Sequence, residues 1–149
     1  MRTLVAGFGN ELRGDDGFGI AVCQRLKERP CDGVEILEVG TGGLQMAQVL
    51  IAGYDRLIVV DAMARGGAAG QLYVLEVEGV ERATEIDLHL AVPKAALSVA
   101  QALGVLPRQV FMVGCEPQEV DELCLTLSPA VSAALERAVT QVIELARRP

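Results

Sequence analysis

The chain has 149 residues, 51% of them hydrophobic, with 20 acidic against 13 basic side chains and a formal charge of −7. That length suits one domain with a full core, and the acidic balance argues against nucleic acid or an anionic membrane surface as partner. No basic and apolar leader opens the sequence and no apolar run has the length of a bilayer span. The four cysteines (Cys23, Cys31, Cys115, Cys124) form no C-x-x-C pair, so a cytoplasmic protein with reduced thiols is the expectation.

Thr3-Leu4-Val5-Ala6 is all apolar, as in a central strand buried on both faces. The loop that follows, Gly7-Phe8-Gly9-Asn10-Glu11-Leu12-Arg13-Gly14-Asp15-Asp16-Gly17-Phe18-Gly19, leads into a helix from Asp16 to Lys27 that stacks Phe18, Val22 and Leu26 on one side. A glycine-rich loop between strand and helix ordinarily holds phosphate. This one carries Glu11, Asp15 and Asp16, which suits a cation instead. Leu12 stands where the third glycine of a dinucleotide fingerprint would fall.

Pro30-Cys31-Asp32-Gly33 breaks the chain before a second strand, Val34 to Val39. Gly40-Thr41-Gly42-Gly43 then opens a helix from Leu44 to Ile51 with Leu44, Ala47 and Leu50 inward. The third strand, Arg56 to Asp61, is nearly pure Leu, Ile and Val and ends in a carboxylate. Alternating strands and helices at this spacing predict right-handed crossovers and a parallel sheet. Gly66-Gly67-Ala68-Ala69-Gly70 is too short to hold a crossover helix, so the strand Leu72–Val77 is expected to run antiparallel near an edge.

The segment 78–90 is polar and contains the only histidine, His89. A helix with Pro93 in its first turn runs through Ala96, Leu97, Ala100 and Leu103 to Gly104, and Gln109–Gly114 forms the fifth strand. Ser128-Pro129 marks the start of the last helix as an N-cap followed by proline. That helix turns Val131, Leu135, Ala138, Val142 and Leu145 inward. The expected architecture is one three-layer α/β/α domain over residues 1–149.

In such a sheet, ligands bind beyond the carboxyl ends of strands where neighbouring crossovers diverge to opposite faces. With the first strand central, that crevice lies between the loop holding Asp15 and Asp16 and the end of the third strand, Asp61. Two carboxylates and His89 would suit a borderline divalent ion such as nickel or zinc. Asp61 is the most telling of the three, because a carboxylate closing a buried strand is costly unless paired or ligating. Asp16 also reads as an N-cap, His89 as a solvated loop residue and Thr41 as part of a turn. A cysteine nucleophile working with His89 stays open, whereas the P-loop and the G-x-S-x-G elbow are absent.

The loop Gly7-x-Gly9-Asn10-x-Leu12-x-x-Asp15-Asp16-Gly17-x-Gly19 resembles the signature of the hydrogenase maturation endopeptidases. The resemblance continues, in order, through Gly40-Thr41, Val59-Val60-Asp61-Ala62, His89, Gly114-x-Glu116-Pro117 and Leu127-Ser128-Pro129-x-Val131. It implies a phosphorylase/hydrolase-like fold with a five-stranded, mostly parallel sheet and one antiparallel strand. It also implies an enzyme that removes the C-terminal extension of a nickel–iron hydrogenase large-subunit precursor after nickel insertion. The family's metal-contacting positions fall on Asp16, often Glu in relatives, on Asp61 and on His89. Glu38 stands where many relatives have Asp. The nickel is then expected to be carried by the precursor rather than held by the enzyme, which is expected to act as a monomer. Two other readings remain: a nickel-sensing chaperone that binds the precursor without cutting it, and a hydrolase with its own zinc.

Overall fold

A computed structural model describes residues 1–40, 42–77, 91–118 and 123–149, with the side chains of residues 91 and 92 left aside. Its strands are β1 (Thr3–Phe8), β2 (Val34–Gly40), β3 (Arg56–Ala62), β4 (Leu72–Glu76) and β5 (Gln109–Cys115). The helices are α1 (Phe18–Lys27), α2 (Leu44–Leu50), α3 (Ala91–Ala102) and α4 (Pro129–Arg147). The strands form one sheet in the order β2-β1-β3-β5-β4. Only the pairing of β4 with β5 is antiparallel, as the short glycine-rich connection requires.

The alternation of side chains along each strand splits the core in two. Val5, Ile58, Val60, Phe111 and Val113 meet α1 and α4 on one face. Leu4, Ala6, Leu57, Val59, Val110 and Met112 meet α2 and α3 on the other. β1 and β3 are buried along their whole lengths, which is why Leu4–Ala6 and Leu57–Val60 run apolar without a polar alternate. Along α4, Val131, Leu135, Ala138, Val142 and Leu145 are all buried, as its spacing predicts.

Two leucines expected inside are not. Leu44 is 61% exposed, and Met46 is buried with Ala47 and Leu50 instead. At 3.6 residues per turn, Met46, Ala47 and Leu50 share one face of this short helix and Leu44 falls to its side. Leu103 is 57% exposed because α3 ends at Ala102 and the chain turns at Gly104, φ +71°, which lets Val105 and Leu106 pack under the sheet in its place.

The predicted start of α1 also shifts. Gly14–Gly17 forms a separate 3₁₀ turn, and Gly17 is the N-cap residue of α1, so Asp16 does not cap that helix and its carboxylate is left for other work. The first turn of α1 lies directly on the sheet: a Cβ on Gly19 would run into the carbonyl oxygens of Val60 and Phe8. That close approach brings the glycine-rich loop to the carboxyl ends of β1 and β3.

Candidate active site

The chain arrives at the sheet edge through the register of its two central strands. Gly7 pairs with Val60, so Phe8 and Gly9 come level with Asp61. Around β1 the crossovers diverge: α1 covers one face on the way out to β2, and α2 covers the other on the way back from β2 to β3. A crevice at this divergence follows from the topology.

Gly9 sits at its centre with φ +128°. A Cβ on Gly9 would collide with the carbonyl oxygen of Asp16 and lie 3.5 Å from Asp61 Oδ1. One glycine therefore lies against both candidate residues, and only glycine allows the approach. Asp16 is half-buried, and its Oδ2 accepts the backbone N–H of Asn10 at 3.1 Å. Asn10 in turn uses its own Oδ1 to accept the N–H of Leu12 at 2.9 Å, an Asx turn that sets the loop's shape.

Asp61 is 5% exposed, and its Oδ1 accepts the N–H of Ala62 at 2.8 Å. Among the described residues no buried side-chain oxygen lacks a partner. Oδ2 of Asp61, with no hydrogen-bond partner among the described residues, therefore keeps some contact with solvent. Burial first, and the charge of Asp16 second, push its pKa well above the usual carboxylate range, with the Ala62 N–H opposing. A desolvated carboxylate beside a second carboxylate, with one oxygen open, is a place where an arriving cation gains most.

The adjacent Asp15 does something else. It is 1% exposed. Its Oδ1 accepts the Ser128 N–H at 2.6 Å, and its Oδ2 accepts the Ser128 hydroxyl at 2.8 Å and the Gln118 N–H at 2.8 Å. Ser128 is the N-cap residue of α4, as predicted, but its side chain makes no cap bond and donates to Asp15 instead. Asp15 therefore ties the glycine-rich loop to the start of α4.

His89 and Thr41 lie outside the described residues. Among the described residues no three His, Cys, Asp or Glu side chains gather closely enough to hold a metal. Glu38 is paired with Lys27. Cys23 and Cys115 are fully buried, and burial pushes each thiol up to about 12. Both are therefore protonated packing residues, and neither is a nucleophile.

A residue given no role from sequence is Glu116, 5% exposed at the end of β5. Its Oε1 accepts the N–H groups of Arg65 and Gly67, each at 2.8 Å, and the hydroxyl of Tyr73 at 2.6 Å. Burial works against its charge, but Tyr73 and the N–H groups of Arg65, Gly67 and Gly66 outweigh it and lower the pKa. Glu116 thus pins the connection that leaves Asp61 and Ala62 for β4. The available signal was the one that singled out Asp61, an acid directly after a buried apolar strand. Glu116→Ala is expected to destabilise the fold by about 2–3 kcal/mol, since it strands buried donors to a charged acceptor. Glu116→Gln, which keeps an oxygen in place, should cost less than half of that in urea unfolding. With a lowered folded pKa, the contribution of Glu116 is present above its ordinary value of 4.5 and is lost as the pH falls through the folded value.

Over residues 20–145 the chain matches the family described as "Hydrogenase maturation protease". The chain belongs to that family. Its members are endopeptidases that cleave the C-terminal extension of nickel–iron hydrogenase large subunits. The chain is 33% identical to the hydrogenase 2 maturation protease of Escherichia coli strain K12, over 99% of this chain and 92% of that protein. It is also 33% identical to the hydrogenase expression/formation protein HoxM of Cupriavidus necator, over 98% of this chain and 74% of the relative. Among solved structures, the hydrogenase maturating endopeptidase HybD from E. coli superposes with a TM-score of 0.86 at 32% identity, covering 99% of this chain and 93% of that one. The [NiFe] hydrogenase maturation protease HybD from Thermococcus kodakarensis gives 0.85 at 27% identity, covering 99% and 100%. The protease thus places the glycine-rich loop and Asp61 at one sheet edge, on a fold shared with solved members of its family. Among its described residues no helix is long and apolar enough to cross a membrane.

Proposed function

We propose that this protease cuts the C-terminal extension from a nickel–iron hydrogenase large-subunit precursor once nickel is in place, reading the metal that the precursor carries. Asp16, Asp61 and His89 are the residues assigned to complete the coordination of that ion. The observation that carries the reading is the pair of carboxylates around Gly9, one of them buried with a single N–H partner among the described residues. In the free enzyme Asp61 is held away from water and beside Asp16. A divalent ion arriving with the substrate relieves both penalties at once, so docking favours the metal-loaded precursor over the empty one. The ion then polarises the scissile carbonyl, while Asp16, the more exposed carboxylate, positions the attacking water.

The test is the mass of the precursor after incubation with the purified protease. Nickel-loaded precursor is expected to lose its C-terminal peptide, and nickel-free precursor is expected to stay intact under the same conditions. Binding with no change of mass identifies a chaperone instead. Equal cleavage with and without nickel, together with zinc in the protein as purified, identifies a self-metallated hydrolase.

A further inference from the structure

Past Val60 the third strand loses one of its two ladders. The pairing of β1 with β3 runs from Thr3 and Arg56 to Gly7 and Val60, whereas that of β3 with β5 continues through Asp61 and Gly114 to Ala62 and Cys115. Asp61 is thus the first residue of β3 whose place in the sheet is set by the ladder to β5 and no longer by β1. Its carboxylate is oriented by the residue that follows, since Oδ1 accepts the Ala62 N–H. Whatever holds Ala62 and the chain just beyond it therefore also aims the Asp61 side chain.

Two residues of β5 and its end do the holding. Gly114 lies directly opposite Asp61, and a Cβ there would come within 2.7 Å of both Cβ and Cε of Met63. Met63 is buried in the space that the glycine leaves, and its N–H donates to Cys115 O at 2.9 Å. Glu116 then binds the connection to β4 through side chain and backbone together. Besides the three donors gathered on Oε1, its N–H donates to Gln71 O and its carbonyl accepts the Gly70 N–H, each at 2.8 Å. With Gly66, Gly67 and Gly70 in it, this connection has little side chain to pack and much backbone freedom to lose. An apolar residue at position 116 would leave Arg65, Gly67 and Tyr73 with no common acceptor; the buried carboxylate supplies one.

We propose that Gly114 and Glu116 are positioning residues for cleavage: they clamp the chain from Ala62 to Gln71 so that the Asp61 carboxylate keeps the one orientation set by the Ala62 N–H. The inference rests on the carboxylate crevice being the place of cutting. It adds what keeps the buried member of the pair in place when β1 no longer supports it. Neither residue touches the reacting atoms. Both act through the backbone of Ala62 and Met63, and a displacement of about 1 Å at a group that meets the metal is enough to slow a reaction by about a hundredfold.

Cleavage of nickel-loaded precursor, read as kcat and KM separately, tests the proposal beside the amide proton shift of Ala62 by NMR. Glu116→Ala and Gly114→Ala are each expected to lower kcat per folded molecule at least about tenfold, with KM within about twofold of wild type, and to move the Ala62 amide. Glu116→Gln keeps an oxygen for the three donors, so it should restore kcat to within about threefold and return the amide to its wild-type position. Val142→Ala is the control. Val142 is buried about 20 Å along α4 from Ser128, so its truncation should lower the urea midpoint and leave kcat and the Ala62 amide as in wild type. Gly114→Ala carries the test if Glu116→Ala does not fold. A fall of kcat in Val142→Ala equal to that in Glu116→Ala would reduce the effect to stability and overturn the clamp. Wild-type turnover in Asp61→Asn overturns the cutting assignment, and the clamp's role with it. Lost turnover in Asp61→Asn beside wild-type kcat and an unmoved Ala62 amide in the folded clamp variants overturns the clamp alone.

Discussion

Asp61→Asn is expected to abolish cleavage of nickel-loaded precursor while leaving the protein at least as stable as wild type. Loss of a side chain proposed to meet the metal should lower turnover by about a thousandfold or more, equivalent to about 4 kcal/mol of transition-state stabilisation. Most substitutions of a buried, hydrogen-bonded residue destabilise, and here the opposite sign follows from electrostatics. The Asp61 carboxylate is buried, sits beside Asp16 and has one N–H partner, so its folded pKa lies well above its unfolded value. A carboxyl group raised in this way binds more protons in the folded state than in the unfolded one between the two values. Stability therefore falls as the pH rises through that window, and the deprotonated form weakens the fold above it. The carboxamide of the Asp61→Asn variant has no charge to bury and can still accept the Ala62 N–H. Urea unfolding of wild type and Asp61→Asn should show the variant ahead at pH 7, with the gap closing as the pH drops below the ordinary carboxylate range. Wild-type turnover in the variant would sink the assignment of Asp61, and a large loss of stability at neutral pH would sink the account of its charge. His89→Ala should match the loss of cleavage.

The buried central strands and the reversal of β4 were readable because they follow from patterns with few solutions. Apolar runs without alternation place β1 and β3 in the middle of the sheet, and a five-residue glycine and alanine connection cannot carry a crossover helix, so β4 must reverse. Asp61 stood out for a related reason, since a charge ending such a run has few structural uses. Other features depend on contacts between residues distant in sequence, and no local pattern carries those. Asp15 and Asp16 are alike in sequence, yet among the described residues the first reaches Ser128 and Gln118 while the second accepts the N–H of Asn10. Glu116 gathers donors from Arg65, Gly67 and Tyr73, none of which is near it in the chain. The parallel bridge between Arg13 and Cys124 likewise joins two segments far apart in the chain. Leu44 was misplaced because a helix of seven residues has too few turns for its spacing to distinguish the face from the flank.

Asp15→Ala and Asp16→Ala, neighbours in the same loop, should separate stability from activity. Asp15 is fully buried and accepts three hydrogen bonds from Ser128 and Gln118. Removing a charged acceptor leaves those donors without their partner and releases the loop from the start of α4, at a cost of about 3–5 kcal/mol. A loss of that size is a large part of the stability of an ordinary domain, so Asp15→Ala should unfold at much lower urea and lose cleavage only as its folded fraction falls. Asp16 accepts one backbone N–H at 3.1 Å and is half-exposed. Its removal also relieves the repulsion that helps raise the pKa of Asp61, so Asp16→Ala should shift stability by less than about 1 kcal/mol. Its cleavage of nickel-loaded precursor should nevertheless fall by about a hundredfold or more, the usual scale for a group that positions water or completes a metal's coordination. Asp16→Glu, which keeps the carboxylate on a longer arm, is expected to retain part of the activity that Asp16→Ala loses. Urea unfolding and cleavage rates of the three variants check the division. The opposite pattern, an unstable Asp16→Ala beside a stable, inactive Asp15→Ala, would transfer the catalytic role to Asp15.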